Sequence, residues 1–391
     1  MSEIKFPIYL DHHATTPVDP RVLDKMIPYF TEKFGNASSL DHPFGYDASV
    51  AVENARDTIA NAIGARHDEI IFTSGATESD NIALIGTMQK YSDRGNHLIT
   101  CVTEHKAILD TAKHLETLGK KVTYLPVNEF GEINLEELEN AITDDTVMIS
   151  IMFANNEIGT IADVTSIGEI AHKHNVIFHT DAAQAVGHIP VNVESMNIDL
   201  MSFSAHKMYG PKGIGALYVR GVKPRVKPDG LFYGGGQERN IRSGTLNVSG
   251  IVGFGKAMEI SQKEMDSETK RFLEWNKMML TEFEKIGGKL NGHPTKRLSH
   301  NLNIYFPGIE SKAIINSVSK EIAISAGSAC TTQVVEPSHV LLALGLDEDT
   351  THYAIRIGMG RFNEINEITF VIKKIINTCN ILNKIQTSYT D

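Results

Sequence analysis

The stretch DLMSFSAHKMYGPKGIGALYVR, residues 199–220, sets two apolar runs, 199–203 and 214–220, on either side of ten residues rich in polar groups and glycine. Ten residues are too few for the helix that normally carries a chain between parallel strands, so the second run is expected to return antiparallel to the first. Five more runs of strand character precede this pair: EIIFT (69–73), HLITCV (97–102), KVTYLPV (121–127), TVMISIMF (146–153) and VIFHT (176–180). Helical segments separate most of them. INLEELENAI (133–142) has Asn134 and Glu137 at capping-box spacing, and DVTSIGEIAHKHN (163–175) is a second such segment. This alternation predicts an α/β fold with a seven-stranded, mostly parallel sheet covered on both faces. From about residue 260 the rhythm changes to a long amphipathic helix, MEISQKEMDSETKRFLEWNKMMLTEFEKI, then shorter strands and a C-terminal helix. The expected division is a large domain over 15–260 and a smaller α+β domain built from 1–14 and 261–391.

Composition narrows the function. A chain of 391 residues with 41% hydrophobic content can bury a large core. Its 37 Lys+Arg against 48 Asp+Glu leave a formal charge of -11, which gives no general attraction to phosphate backbones or anionic lipid. Strong direct binding to nucleic acid or membrane is therefore not expected. The opening MSEIKFPIYLDHH has no basic region followed by an apolar core, and no window approaches roughly 18 uninterrupted apolar residues. Three cysteines, Cys101, Cys330 and Cys379, cannot form a complete set of intramolecular disulfides. A soluble cytoplasmic protein is the expectation.

Polar residues cluster where strands end. FTSGATESDN follows the first run and opens a helix, offering free backbone amides around Ala76 and the Thr77 hydroxyl to a phosphate. His105 follows the second run, Asn155 and Asn156 the fourth, Asp181 and Gln184 the fifth, and Ser204, His206 and Lys207 the sixth. In an open α/β sheet the crevice beyond the strand carboxyl ends is where ligands bind. Lysine, aspartate and a phosphate cradle together are what pyridoxal phosphate requires: an amine to hold it and a carboxylate to keep its ring nitrogen protonated. Taken singly, each of these residues is as well explained as a cap, a turn residue or an exposed side chain; the combination carries the reading. No metal site is expected. The histidines of HKH (172–174) do not share a helix face and read as solvated, and DHH (11–13) makes no better case.

With those residues in place, the chain resembles the pyridoxal-phosphate-dependent cysteine desulfurases of the class with a long active-site loop, within the class-V aminotransferase superfamily. The motifs that carry the resemblance run almost end to end: YLDHHATTPVDP, GNASSLDHPFG, FTSGATESDN, TEHKAILD, NNEIGT, HTDAAQAVGHIP, MSFSAHKMYGPKGIGALYVR, GGGQERNIRSGT, SAGSACT with EPSHVLLALG, and AIRIGMGRF. The resemblance implies a fold type I transferase. It implies that Lys207 holds the cofactor, Asp181 pairs with the ring nitrogen, and His105 stacks on the ring and moves protons. Gln184 and Asn156 would contact the ring oxygen or substrate. Ala76, Thr77, Ser204 and His206 would hold the phosphate with Thr245 of a neighbouring subunit, and Arg356 would clamp the substrate carboxylate.

Cys330 separates a generic pyridoxal enzyme from one that mobilises sulfur. A cysteine is by default a small buried hydrophobe, yet Cys330 follows small residues from Ser325 to Ser328 and precedes a polar stretch. That setting suits a loop carrying a nucleophile. Cys101 and Cys379 sit in apolar patterns and are expected to pack. The activity implied is conversion of L-cysteine to alanine, with a persulfide left on Cys330 for a sulfur-acceptor protein such as an iron–sulfur scaffold or a thiolation enzyme. A homodimer is implied as well. The alternatives are a selenocysteine lyase or other pyridoxal lyase or aminotransferase, and a sulfur-transfer scaffold without turnover.

Overall fold

The structure is a computed structural model that describes residues 4–326 and 336–390. All seven apolar runs form one sheet: β1 Ile70–Thr73, β2 His97–Cys101, β3 Lys121–Leu125, β4 Thr146–Ser150, β5 Ile177–Asp181, β6 Leu200–Ser204 and β7 Gly215–Val219, in the spatial order β1-β7-β6-β5-β4-β2-β3. Pairings from β3 through β6 are parallel, and β7 runs antiparallel to both β6 and β1. The short 199–220 connection thus dictates the direction of β7, as the count of its residues implies. Gly215 opens β7 where a Cβ would lie 2.6 Å from the Gly75 backbone and 2.7 Å from the Phe203 carbonyl, so only glycine lets the two turns approach.

Side chains alternate between the two faces as strand geometry requires. Ile70, Phe72, Ile99, Ile149 and Phe203 point into a core shared with helices α1 (Pro43–Ala62), α4 (Val164–Lys173) and α5 (Val248–Glu284). Ile71, Leu98, Met148 and Leu217 point the other way, toward α2 (Ala76–Asn81), its π-helical continuation Ile82–Gly86, and α3 (Lys106–Thr117). Asn134 caps the short helix Leu135–Ala141 through bonds from the Glu136 and Glu137 amides, at 2.8 and 3.3 Å, and Asp163 caps α4. The long helix α5 begins well before residue 258, inside the glycine-rich VSGIVGFGKA. A Cβ at Gly255 would stand 2.8 Å from the Ala55 Cβ, so α5 uses glycine to lie close on α1. Local propensity argues against a helix there and the tertiary contact overrides it.

A second core gathers Phe272, Trp275, Leu302, Ile304, Ile355, Ile357 and the face of α6 (Ile365–Thr390). Its sheet joins β8 (Lys289–Leu290), β9 (Asn301–Tyr305) and β10 (Ala354–Gly358), all antiparallel. The N-terminal segment connects the two cores. Ile8 and Leu10 are buried in the second, and Ile8–Tyr9 pairs with Ile322–Ala323. Six residues on from Leu10, the Thr16 hydroxyl donates to the His206 carbonyl at 2.8 Å and accepts from the Tyr209 amide at 2.8 Å.

A buried ion network locks the same junction. Arg361 donates through Nε to Glu268 at 2.6 Å and through Nη1 to Asp19 at 3.0 Å, and its guanidinium lies 4.2 Å from the centre of the Tyr209 ring. Burial would raise the Asp19 carboxyl, but bonds from Arg21 and Arg361 outweigh it and hold it down at about 2. Arg361→Leu should strand the buried Glu268 carboxylate while Asp19 keeps Arg21. We expect a loss of about 3 kcal/mol, the lower end of what removing one partner of a buried pair costs. Denaturant unfolding of parent and variant measures it; a loss below about 1 kcal/mol would show that the network adds little to stability.

Candidate active site

A cavity of about 520 Å³ opens at the carboxyl ends of the strands. It collects Ala76 and Thr77 from the turn after β1, His105 after β2, Asn156 after β4, Asp181 and Gln184 at the end of β5, and Ser204, His206 and Lys207 after β6. Residues separated by more than a hundred positions meet because parallel strands present all their carboxyl ends on one edge. Among the described residues no group of His, Cys, Asp and Glu could hold a metal ion.

Lys207 is held by the chain's own N-terminal segment. Its ammonium donates to the carbonyls of His13 and of Ala14, the latter at 2.9 Å. Burial, and then the positive charge of Arg356, lower its pKa to about 8, against smaller opposing effects of Asp181 and Asp11. The turn that follows is fixed by Tyr209, which takes a left-handed φ of 66° and whose hydroxyl accepts from the Arg361 amide at 2.5 Å. At neutral pH Lys207 thus has an appreciable fraction of neutral, nucleophilic amine, which a solvated lysine lacks.

Asp181 is buried and accepts one bond, from the Ala183 amide at 2.9 Å. Burial raises its carboxyl, opposed by His105, that amide and Lys207. The first turn of α2 also lines the cavity, and its amides have no acceptors within the helix. The buried Ser204 hydroxyl there has no hydrogen-bond partner among the described residues. His206 accepts or donates through Nδ1 to the Thr15 hydroxyl at 3.1 Å, and burial with Lys207 nearby lowers its pKa to about 4, leaving it neutral. His105 caps α3, its Nδ1 accepting from the Ala107 amide at 3.1 Å, which leaves Nε2 to carry the ring proton at the cavity mouth.

The model of the aminotransferase class-V family matches residues 8–371. The cysteine desulfurase IscS of Rickettsia africae is 49% identical over 388 residues, 99% of this chain and 93% of its own. A solved NifS-like protein superposes with a TM-score of 0.90 at 38% identity, covering 96% of this chain and all of the other. The structure titled SspA in complex with cysteine gives 0.78 at 38% identity over 90% and 98% of the two chains. The chain belongs to the cysteine desulfurases of the class-V aminotransferase family. These are pyridoxal-phosphate-dependent enzymes. The desulfurase cavity fits that cofactor on two observations: an orphaned hydroxyl, Ser204, lines it together with the first turn of α2, and a buried carboxylate, Asp181, lies within electrostatic reach of an amine of lowered pKa.

Among the described residues singled out in the sequence, Arg356 and Thr245 do not line the desulfurase cavity. Arg356 is buried behind it, donating to the Asn156 carbonyl at 2.9 Å and to Asp11 at 2.8 Å. Thr245 is exposed and does not line the cavity. Cys330 lies outside the described residues. Both ends of the Gln184 amide are engaged by His13, at 2.9 and 3.0 Å. The HKH stretch is not simply solvated: His172 reaches the buried Asp199 at 3.0 Å and His174 reaches Glu139 at 2.8 Å. Reasoning from sequence weighed Asp11 and His13 only as metal ligands, and passed over the imidazoles of His300 and His188 that complete the stack with His13 and the buried carboxyls Asp80 and Glu104. Asp11, His13, Asp80, Glu104 and His188 lie inside quoted motifs, so their neighbourhood was the available signal; His300 carried none.

The lowered Lys207 pKa gives a direct test on the cofactor-free enzyme. An amine-reactive reagent attacks only the neutral amine, so labelling of Lys207 should rise with pH to half its plateau near 8, while ordinary surface lysines follow a midpoint of about 10.4. Peptide mass spectrometry across pH reads both at once. A Lys207 midpoint among the surface lysines would contradict the burial argument.

Proposed function

We propose that Lys207 holds pyridoxal phosphate and that Cys330 takes sulfur from L-cysteine and carries it to an acceptor protein. The observation that carries this reading is the convergence of Lys207 and Asp181 in one cavity, the amine lowered and the carboxylate buried. When bound, the cofactor supplies an electron sink for the bonds around the substrate's α-carbon. Asp181 keeps its ring nitrogen protonated, and Thr77, Ser204, His206 and the backbone at Ala76 hold its phosphate. Gln184, anchored by His13, and Asn156 orient the ring oxygen and the substrate. Arg356 anchors the substrate carboxylate through its planar fork, one arm of which Asp11 now occupies. His105 moves protons through Nε2, alternating with the Lys207 amine.

The Cys330 thiolate attacks the substrate sulfur: an S–S bond forms as the Cβ–S bond breaks. The amino-acid fragment takes up protons and leaves as alanine, and the sulfur stays on Cys330 as a persulfide. Cys330 is favoured because the other thiols are unsuited. Cys101 and Cys379 are buried in the two cores, and burial pushes their pKa values up to about 11 and about 12. An iron–sulfur scaffold or a thiolation enzyme is the acceptor class this chemistry serves. Among the described residues no helix is long and apolar enough to cross a membrane, in keeping with a cytoplasmic site of action.

Assembly follows from Thr245. Arg242, three residues before it, is tied to Glu78 at 2.8 Å, so the segment is held near α2, and Thr245 is not among the residues that line its own cavity. A partner's cavity is what it can serve. Phe30, Phe34, Leu40, Phe44 and Tyr46 are each more than half exposed, an apolar face suited to a second copy of the chain.

Purified enzyme should release alanine and sulfide from L-cysteine with no oxo-acid requirement. Lys207→Ala should abolish release, and His105→Ala should lower it about 100-fold or more while cofactor is retained. Cys330→Ala should bind cofactor and substrate, accumulate no protein persulfide and release little alanine; release at the parental rate would move the generic lyase reading ahead. Mixing Lys207→Ala with Thr245→Ala chains should restore activity through dimers with one intact site, and no recovery would argue that each site is built within one chain.

A further inference from the structure

Of the ionisable groups that line the cavity and have no part in the chemistry above, Glu78, Asp80 and Lys212, Asp80 is the buried one. Asp80, near the end of α2, is fully buried and lines the cavity. Neither of its carboxyl oxygens has a hydrogen-bond partner among the described residues. The two other carboxyls of this region are better served: Asp181 accepts from the Ala183 amide at 2.9 Å, and Glu104 accepts from the Met152 amide at 2.6 Å.

The groups around Asp80 offer no positive charge in contact with it. From β5 come Asp181 and His179, from the segment after β2 come Glu104 and His105, and from the turn after β6 comes Lys207, which acts on Asp181. His179 Nε2 lies 3.7 Å from Asp80 Oδ1, but its ring is already engaged by the Ser150 hydroxyl at 2.9 Å and the Ser202 hydroxyl at 3.0 Å. That ring is also neutral, since burial pushes its pKa down to about 3. The Ser202 hydroxyl of β6 is the donor that acts on Asp80, lowering its carboxyl in part, and it is shared with the His179 ring at 3.0 Å. An ionised Asp80 would therefore have no charged donor in a low-dielectric site, beside a second carboxylate. Burial first, and then the charge of Asp181, drive Asp80 well above the usual carboxylate range.

We infer that Asp80 keeps its proton at neutral pH and is a positioning residue for Asp181, limiting the carboxyl pair to a single negative charge opposite the cofactor's ring nitrogen. One anion balances one protonated nitrogen; two buried anions would repel each other whenever the cofactor is absent. Asp80 neither gives up nor gains a proton in turnover. The positioning role rests on Asp181 being the partner of the ring nitrogen, whereas the charge state of Asp80 is measurable without cofactor.

Infrared difference spectroscopy of cofactor-free enzyme at neutral pH, parent minus Asp80→Asn, tests it. A neutral carboxylic-acid band should be lost and the carboxylate bands left intact; loss of carboxylate bands instead overturns the inference. Asp80→Asn, a neutral isostere, should bind pyridoxal phosphate within about twofold of the parent, while Asp181→Asn binds about tenfold more weakly. Tenfold weaker binding by Asp80→Asn would mean that its charge is used and overturns the inference. Undiminished binding by Asp181→Asn would overturn the positioning role even with the acid band present, and would identify the reading of Asp181 as the fault. Should Asp80→Asn not fold, parent enzyme labelled with ¹³C-carboxyl aspartate replaces it: a carboxylic-acid band must persist from about pH 6 to about pH 8, and its absence overturns the inference.

Discussion

The contact between Lys207 and the carbonyls of His13 and Ala14 is the constraint on which the site depends. Those carbonyls belong to a segment whose earlier residues pair with the second core and whose later residue Thr16 bonds to the turn carrying Lys207. Arg356, on β10 of the second core, meets the same segment at Asp11. The lysine is thus positioned by backbone that spans both lobes, and each lobe contributes charge to its environment. A buried amine that finds only neutral carbonyl acceptors is easily deprotonated, which is what an attacking lysine needs.

Burial acts on the rest of the cavity in the same way. His12, His13 and His300 are buried and His188 is half-buried, all with pKa values lowered first by burial, and the stacked rings of His13, His300 and His188 form a neutral aromatic strut behind Gln184. The carboxyls respond in the opposite sense, rising where Asp80, Glu104 and Asp181 crowd together. Low dielectric therefore strips charge from whatever is not paired, and the charges that remain are those with a partner to meet.

Much of this was legible in the sequence because the fold is written in local patterns. Strand runs such as TVMISIMF and EIIFT are apolar enough to identify, and ten residues between 203 and 214 suffice to set the direction of β7. Residues at strand ends converge by topology alone, so the sequence suffices to group Lys207, Asp181, His105 and Thr77. What stayed hidden depends on tertiary contact. The start of α5 reads as a glycine-rich turn until Ala55 is found against Gly255. Asp80 reads as a polar residue on a helix until the cavity wall closes around it. Asp11 reads as a turn aspartate until Arg356, 345 positions away, arrives beside it.

The measurement that bears most directly on this account is covalent mapping of the cofactor. Enzyme loaded with pyridoxal phosphate, reduced with borohydride, digested and sequenced by mass spectrometry should carry the pyridoxyl group on the peptide containing Lys207 and on no other lysine in stoichiometric amount. A stoichiometric adduct on another lysine, with Lys207 unmodified, would contradict the assignment of the cavity and with it the mechanism built on Lys207.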